Sequence, residues 1–203
     1  ANSQVVKDGS DAVPSLRGYV NSDLDGSSIV FSAGMNPRLF NYMEQCSQFE
    51  MREDGSFSKK VVLKVSDFRS ALIQGKYLAK KGIWVSEFRI ESGLNCGGHA
   101  FATDGFLLGP ILEDFKSGKQ ELLDSLFEIY SAAQLKKNNR TITAIPPVLF
   151  SVQGGIGTAA EDQFLHHHYE IGTTGWGSPF LLVPEATTVD EETLQLLAAP
   201  NED

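Results

Sequence analysis

The 203-residue chain reads as an α/β protein of the (β/α) TIM-barrel type, carrying the last five βα units of an eight-fold barrel. Two observations predict this. From Ser28 onward, five short apolar runs each lead into a helical pattern. Such a succession implies a parallel sheet, because every crossover helix returns the chain to the same edge direction. The glycine-rich turns follow the fourth and fifth runs, and a barrel builds its phosphate site after its last two strands. A five-stranded doubly wound parallel sheet satisfies the same alternation. In its dinucleotide-binding form the glycine turn follows the first strand, where this chain has Gly34-Met35-Asn36-Pro37.

Residues 1–27 are polar, rich in Ser, Asp and Gly, and read as an irregular lead-in or linker before the barrel part at 28–203. The first run is Ser28–Ala33; Asn36 as N-cap and Pro37 at the first helical position predict a helix over Pro37–Cys46. The second run, Lys60–Val65, precedes a helix closing at Lys80-Lys81-Gly82, where the macrodipole favours cations and the C-cap favours glycine. The third run, Trp84–Ile90, enters a loop with Gly93 and Gly97-Gly98. The amphipathic stretch from about Leu107 to Lys137 is long enough for more than one helix. The fourth run, Pro147–Val152, ends at Gln153-Gly154-Gly155-Ile156-Gly157, and Thr158 with Glu161 forms a capping box for a helix through His168. The fifth run, Thr173–Val183, is broken at Gly175-Trp176-Gly177-Ser178-Pro179. Thr188 and Glu191 read as a second capping box.

A formal net charge of −9 argues against nucleic acid or an anionic membrane surface as the main partner, since both need basic patches. No apolar run approaches the roughly 20 residues that span a bilayer, and Ala1-Asn2-Ser3-Gln4 lacks a signal peptide's character. Two cysteines, Cys46 and Cys96, are too few for a disulfide framework. They fit a reducing, cytoplasmic compartment, with a small molecule as ligand.

Three features suggest chemistry. Adjacent glycines at Gly154-Gly155 let backbone approach a ligand, and the capped helix behind them offers free amides and a favourable dipole to an anion. One βα unit later, Gly177-Ser178 makes a second turn at the same sheet edge, so the two can grip one phosphate. The plainer alternative is that these glycines serve only the dihedrals of tight turns. His99, on the glycine-rich loop after the third strand, titrates near neutrality and suits a general base. Its alternative is a surface histidine. Lys64, near the end of an apolar parallel strand, is a cation that needs a reason, such as a ligand's negative charge. His166-His167-His168 do not form a metal site in this reading, because consecutive helix residues point about 100° apart. They read as a solvated face, and no metal is expected.

The order of motifs resembles the nitronate monooxygenase family, once called 2-nitropropane dioxygenases, over about residues 28–190. It runs through Ser32-Ala33-Gly34 with Pro37, then Val61-Val62-Leu63-Lys64-Val65, then Glu91 to Gly97-Gly98-His99. Gly154-Gly155-Ile156 and Gly177-Ser178-Pro179-Phe180 follow, before Pro184-Glu185-Ala186. The resemblance implies an FMN-dependent TIM barrel that oxidises a small substrate with an acidic C–H. It implies that Gln153, Gly154, Gly155, Gly177 and Ser178 hold the FMN phosphate end. Lys64 would stabilise the reduced ring, Gly97 and Gly98 would pass against the isoalloxazine, and His99 would remove the substrate proton. The loop carries Leu94-Asn95-Cys96 between Glu91 and Gly97, a departure from the family's Glu-Ala-Gly-Gly-His. Ser178 stands where the family usually has Thr.

Five units do not close an eight-stranded barrel, and an open parallel edge exposes unpaired amides. The remaining strands are therefore expected from the rest of a longer polypeptide or from a partner chain, with a homo-oligomer as another possibility. A flavin-less barrel fragment serving as a binding or assembly module, and a glutamate-synthase-like flavin barrel, are the competing functions.

Overall fold

The computed structural model describes residues 12–94, 107–177, 180, 183, 188 and 190–199. In chain order they form α1 (Ala12–Val20), β1 (Ser27–Phe31), α2 (Pro37–Met43), β2 (Lys59–Val65) and α3 (Phe68–Lys80). Then come β3 (Val85–Ile90), α4 (Leu108–Asn138), β4 (Leu149–Gln153), α5 (Ala159–His168), β5 (Thr173–Gly175) and α6 (Glu191–Ala198). The strands make one parallel sheet in the order β1-β2-β3-β4-β5. β1 pairs with β2 from Ser27↔Lys59 to Phe31↔Leu63, and β4 with β5 from Ser151↔Thr173 to Gln153↔Gly175. Each strand lies beside its predecessor, which is the succession of barrel units and not the reversing order of a doubly wound sheet.

Local chemistry explains the element ends. Asn36 Oδ1 accepts the Leu39 amide at 3.2 Å, capping α2 directly before Pro37. α3 stops where Gly82 takes φ +75°, and the amides of Gly82 and Ile83 return to the carbonyls of Ala79 and Leu78. That is the paired-bond C-terminal motif whose left-handed residue is usually glycine.

Four expectations change. The lead-in is not irregular throughout: α1 occupies Ala12–Val20, and it buries Val13, Leu16 and Val20 at helical spacing. Leu107–Lys137 does not hold several helices. α4 is one helix of 31 residues, because Ile111, Phe115, Leu122, Leu126, Tyr130 and Gln134 carry an unbroken buried stripe along it. Gly118 belongs to that stripe, since a Cβ there would stand 2.4 Å from the Phe68 ring. β5 ends at Gly175, within the glycine-rich break, and does not run to Val183. Finally, α6 is capped by Asp190 rather than by Thr188. Asp190 accepts the Thr193 amide at 2.9 Å and its hydroxyl at 2.7 Å.

The chain divides into two compact units. The first takes the chain up to 64 with 69–87 and 119–148; the second takes 65–68, 88–118 and 149–203. Phe31, Phe40, Met43, Leu63, Leu78, Trp84 and Tyr130 are buried in the first, with Phe31 set edge-on to Phe40 at 5.8 Å. In the second, Phe88 stacks on Phe150 at 5.8 Å, and Phe115 meets both Phe68 and Phe150 edge-on.

Candidate functional site

The predicted phosphate turns lie in the second unit, after the C-terminal ends of β4 and β5. Gln153 closes β4 opposite Gly175, and the chain then turns through Gly154 at φ +85° and Gly155 at φ +68°. Both angles lie in the left-handed region, which explains two successive glycines here. The Gly154 amide donates to the Gly175 carbonyl at 2.9 Å, so a backbone bond ties the first turn to the second. A Cβ on Gly175 would stand 3.2 Å from Gln153 Cγ, which keeps that position small.

Behind the turn, the capping box forms as the sequence predicts. Thr158 Oγ1 accepts the Glu161 amide at 3.3 Å. Glu161 Oε2 accepts the amides of Gly157 at 2.8 Å and Thr158 at 2.9 Å. These bonds, the Gly157 amide first, hold the Glu161 carboxyl below its ordinary range. Two amides at the start of α5 are thus already answered by a carboxylate. The amides of Gly155, Ile156 and Gly177 have no hydrogen-bond partner among the described residues.

A chain of side-chain bonds also holds the second turn. Trp176 Nε1 donates to Thr174 Oγ1 at 3.1 Å, and that hydroxyl donates to Asp162 Oδ1 on α5 at 2.6 Å. Sequence reasoning missed this network; the only signal was a Thr two residues before a Trp in a glycine turn.

At the end of β3, Glu91 and Ser92 are buried, 1% and 0% exposed, and the Glu91 amide donates to the Val65 carbonyl at 3.0 Å. Sequence reasoning gives Glu91 no role beyond opening the motif. The residues after it, Gly97, Gly98 and His99, lie outside the described residues, as does Ser178.

No family model matches the chain. No curated protein and no solved structure matches it either.

Lys64 belongs to the first unit, half-buried near the C-terminal end of β2. It is not the strand's lone cation. The fully buried lysine of β2 is Lys59, at the opposite end and 2% exposed. Its Nζ donates to the Ser22 carbonyl at 3.2 Å, to Ser22 Oγ at 3.0 Å and to the Leu24 carbonyl, and lies 4.7 Å from the centre of the Tyr19 ring. Three acceptors satisfy all three ammonium protons, and the carbonyls come from the stretch just past the C-terminus of α1. Lys59 is therefore a structural cation that anchors α1.

Another charged cluster of the first unit precedes β3. Glu44 bridges Lys81 and Lys137 at 2.6 Å each, and Lys137 also donates to the Lys81 carbonyl at 2.9 Å. Lys137, then Lys81, hold the Glu44 carboxyl below its ordinary range. A cavity of about 180 Å³ beside them is lined by Met43, Cys46 and Gln134 among others, and burial pushes the Cys46 thiol up. A second cavity, about 320 Å³, is lined by Met51, Glu53, Gly55 and the segment from Arg140 to Pro147. Both are built from residues that precede strands, at the end a barrel uses for stability, and neither contains a predicted site residue.

The three consecutive histidines do not share a partner, and His166 Nε2 also lies 3.6 Å from Asp162 Oδ1. His166 Nδ1 donates to the Ile171 carbonyl at 2.6 Å, His167 Nδ1 to the Gln163 carbonyl at 2.7 Å, and His168 Nε2 lies 3.3 Å from Lys116 Nζ. No group of three or more His, Cys, Asp or Glu among the described residues is placed to hold a metal ion. No helix is long and apolar enough to cross a membrane, again among the described residues.

Proposed function

We propose that the chain is the C-terminal part of an FMN-dependent oxidoreductase of the nitronate monooxygenase-like class, oxidising a small substrate with an acidic C–H. The observation that carries this reading is the set of open amides on Gly155, Ile156 and Gly177, at the ends of two paired strands. Backbone donors on two adjacent turns, with a helix starting behind the first, are of the kind that suits a phosphate monoester. Gln153, Gly155, Gly177 and Ser178 would hold that end of FMN, with the Gly154 amide committed to the Gly175 carbonyl and that glycine shaping the turn. The donor types fit. Glu161 is the term against, since its carboxylate holds the Gly157 and Thr158 amides and repels a second anion; the phosphate would have to sit on the Gly155–Ile156 side.

FMN supplies a two-electron acceptor. The remaining roles belong to this chain's residues. His99 takes the proton from the substrate carbon, which requires its neutral form. Gly97 and Gly98 leave room for the flavin face. Release of a yellow chromophore on denaturing the protein supports the cofactor. Replacing His99 by Ala is expected to cost roughly 10²–10⁴ in turnover with flavin still bound, measured by steady-state kinetics beside the flavin absorbance. Normal turnover in that variant removes His99 from the mechanism.

The Glu161 contacts favour a second reading, a barrel without flavin that serves as a binding or assembly module, because its helix-start amides are capped internally. A colourless protein that also fails to take up added FMN decides for it.

A further inference from the structure

The turn after β5 contains its own device. Trp176 stands half-buried between Gly175 and Gly177. Two glycines give that stretch no anchoring side chain except the indole. The indole N–H donates to Thr174 Oγ1, and the same hydroxyl donates to Asp162 Oδ1 on α5. An oxygen that accepts one bond and donates another is polarised by both, so each bond strengthens its neighbour. Asp162 lies in the first turn of α5, one residue after Glu161, so the chain ties the second glycine turn to the helix that starts behind the first.

We propose that Thr174 is a positioning residue that fixes the Gly175–Gly177 turn against α5, so that Gly177 presents its amide to a phosphate. This rests on the flavin reading. Thr174 touches no ligand in this scheme; its hydroxyl orders the backbone that does. Without the hydroxyl, the indole loses its acceptor and the Gly177 amide has to be ordered at the moment of binding, at a cost in affinity. The cost falls on the phosphate end of the ligand and not on the ring system.

Titration of the full chain with FMN and with riboflavin, followed by flavin fluorescence, tests this on wild type, Thr174→Val, Thr174→Ser and Trp176→Phe. Riboflavin lacks only the phosphate. Thr174→Val, close in shape but without donor or acceptor, is expected to hold FMN about tenfold more weakly, the size of one lost polar contact, and riboflavin as wild type does. Thr174→Ser keeps the hydroxyl and retains FMN affinity. Trp176→Phe keeps a ring without the N–H and shifts the same way as Thr174→Val, so it carries the comparison if the valine variant does not fold. Unchanged FMN affinity in Thr174→Val overturns the proposal and leaves the flavin reading standing, as does equal weakening of both flavins. A wild-type chain that binds neither flavin removes both.

Discussion

In the first unit, two charged groups near the strand starts are held by their neighbours, although Ser86 Oγ on β3 is buried without a partner among the described residues. Lys59 is wrapped by Ser22, Leu24 and Tyr19, and Glu44 is shared between Lys81 and Lys137. The turns after β4 and β5 in the second unit are arranged otherwise. After β4, Gly154 and Gly155 hold left-handed dihedrals, and across the two turns three backbone amides have no partner among the described residues. A charged group whose neighbours already satisfy it has little left to offer a ligand. A region that leaves donors open forgoes that stabilisation and keeps the capacity to bind. The difference matches the division of labour in barrels, where strand starts serve stability and strand ends serve chemistry. It also explains why the cavities described in the first unit do not carry the functional reading.

The contrast predicts different outcomes on substitution. The largest effect on stability belongs to Lys59. Lys59→Met fills a similar volume but removes the buried ammonium that donates to the Ser22 carbonyl and hydroxyl and to the Leu24 carbonyl, and is expected to cost about 3 kcal/mol, the upper end for bonds to a charged group. The urea midpoint measures it; a shift near zero would mean that these carbonyls do not depend on the ammonium. In the second unit, Gly155→Ala places a Cβ in a left-handed residue at φ +68°. Its expected stability cost is smaller, about 1–2 kcal/mol, but FMN affinity should fall with it. If the variant binds FMN as wild type does, the open amides are not the cradle.

The smallest effect has the opposite sign. Tyr130 is fully buried, its hydroxyl has no partner among the described residues, and burial pushes its pKa up to about 12. Tyr130→Phe should therefore stabilise the protein by about 1 kcal/mol, the order of a lost polar desolvation penalty. The sign with pH follows from the raised value. The unfolded phenol ionises near its ordinary 10 while the folded one stays protonated. Wild-type stability is thus unaffected by Tyr130 ionisation below about 10 and falls as pH rises from 10 towards 12. The gap between variant and wild type should widen over that interval in denaturant titrations, and a constant gap would contradict the burial argument.

Much of the fold was legible because it follows from local chemistry. Asn36-Pro37, Lys80-Lys81-Gly82 and Thr158-x-x-Glu161 each form the terminus that their spacing predicts. The sequential strand order was favoured by the place of the glycine turns after the last two runs, since the alternation alone also fitted a doubly wound sheet. What escaped depends on pairing across distance in the chain. Lys59 and Lys60 are adjacent lysines, and nothing local says which is buried; Ser22 and Tyr19, some 40 residues earlier, decide it. α1 was legible in principle through Val13, Leu16 and Val20, but polar neighbours dilute the pattern. Thr174–Trp176 was invisible because Asp162, its far end, lies on another element. In the candidate site, the glycine turns were readable from composition. The capping of Gly157 and Thr158 by Glu161 was readable as a helix start, and not as a competitor for the anion.

The central claim is that these turns hold the phosphate of FMN. Equilibrium dialysis of the full chain against FMN and riboflavin, side by side, tests it most directly. The account predicts that FMN is retained at least tenfold more tightly than riboflavin, as charge-assisted bonds from two or more amides would require. Retention of neither flavin, or equal retention of both, would contradict it.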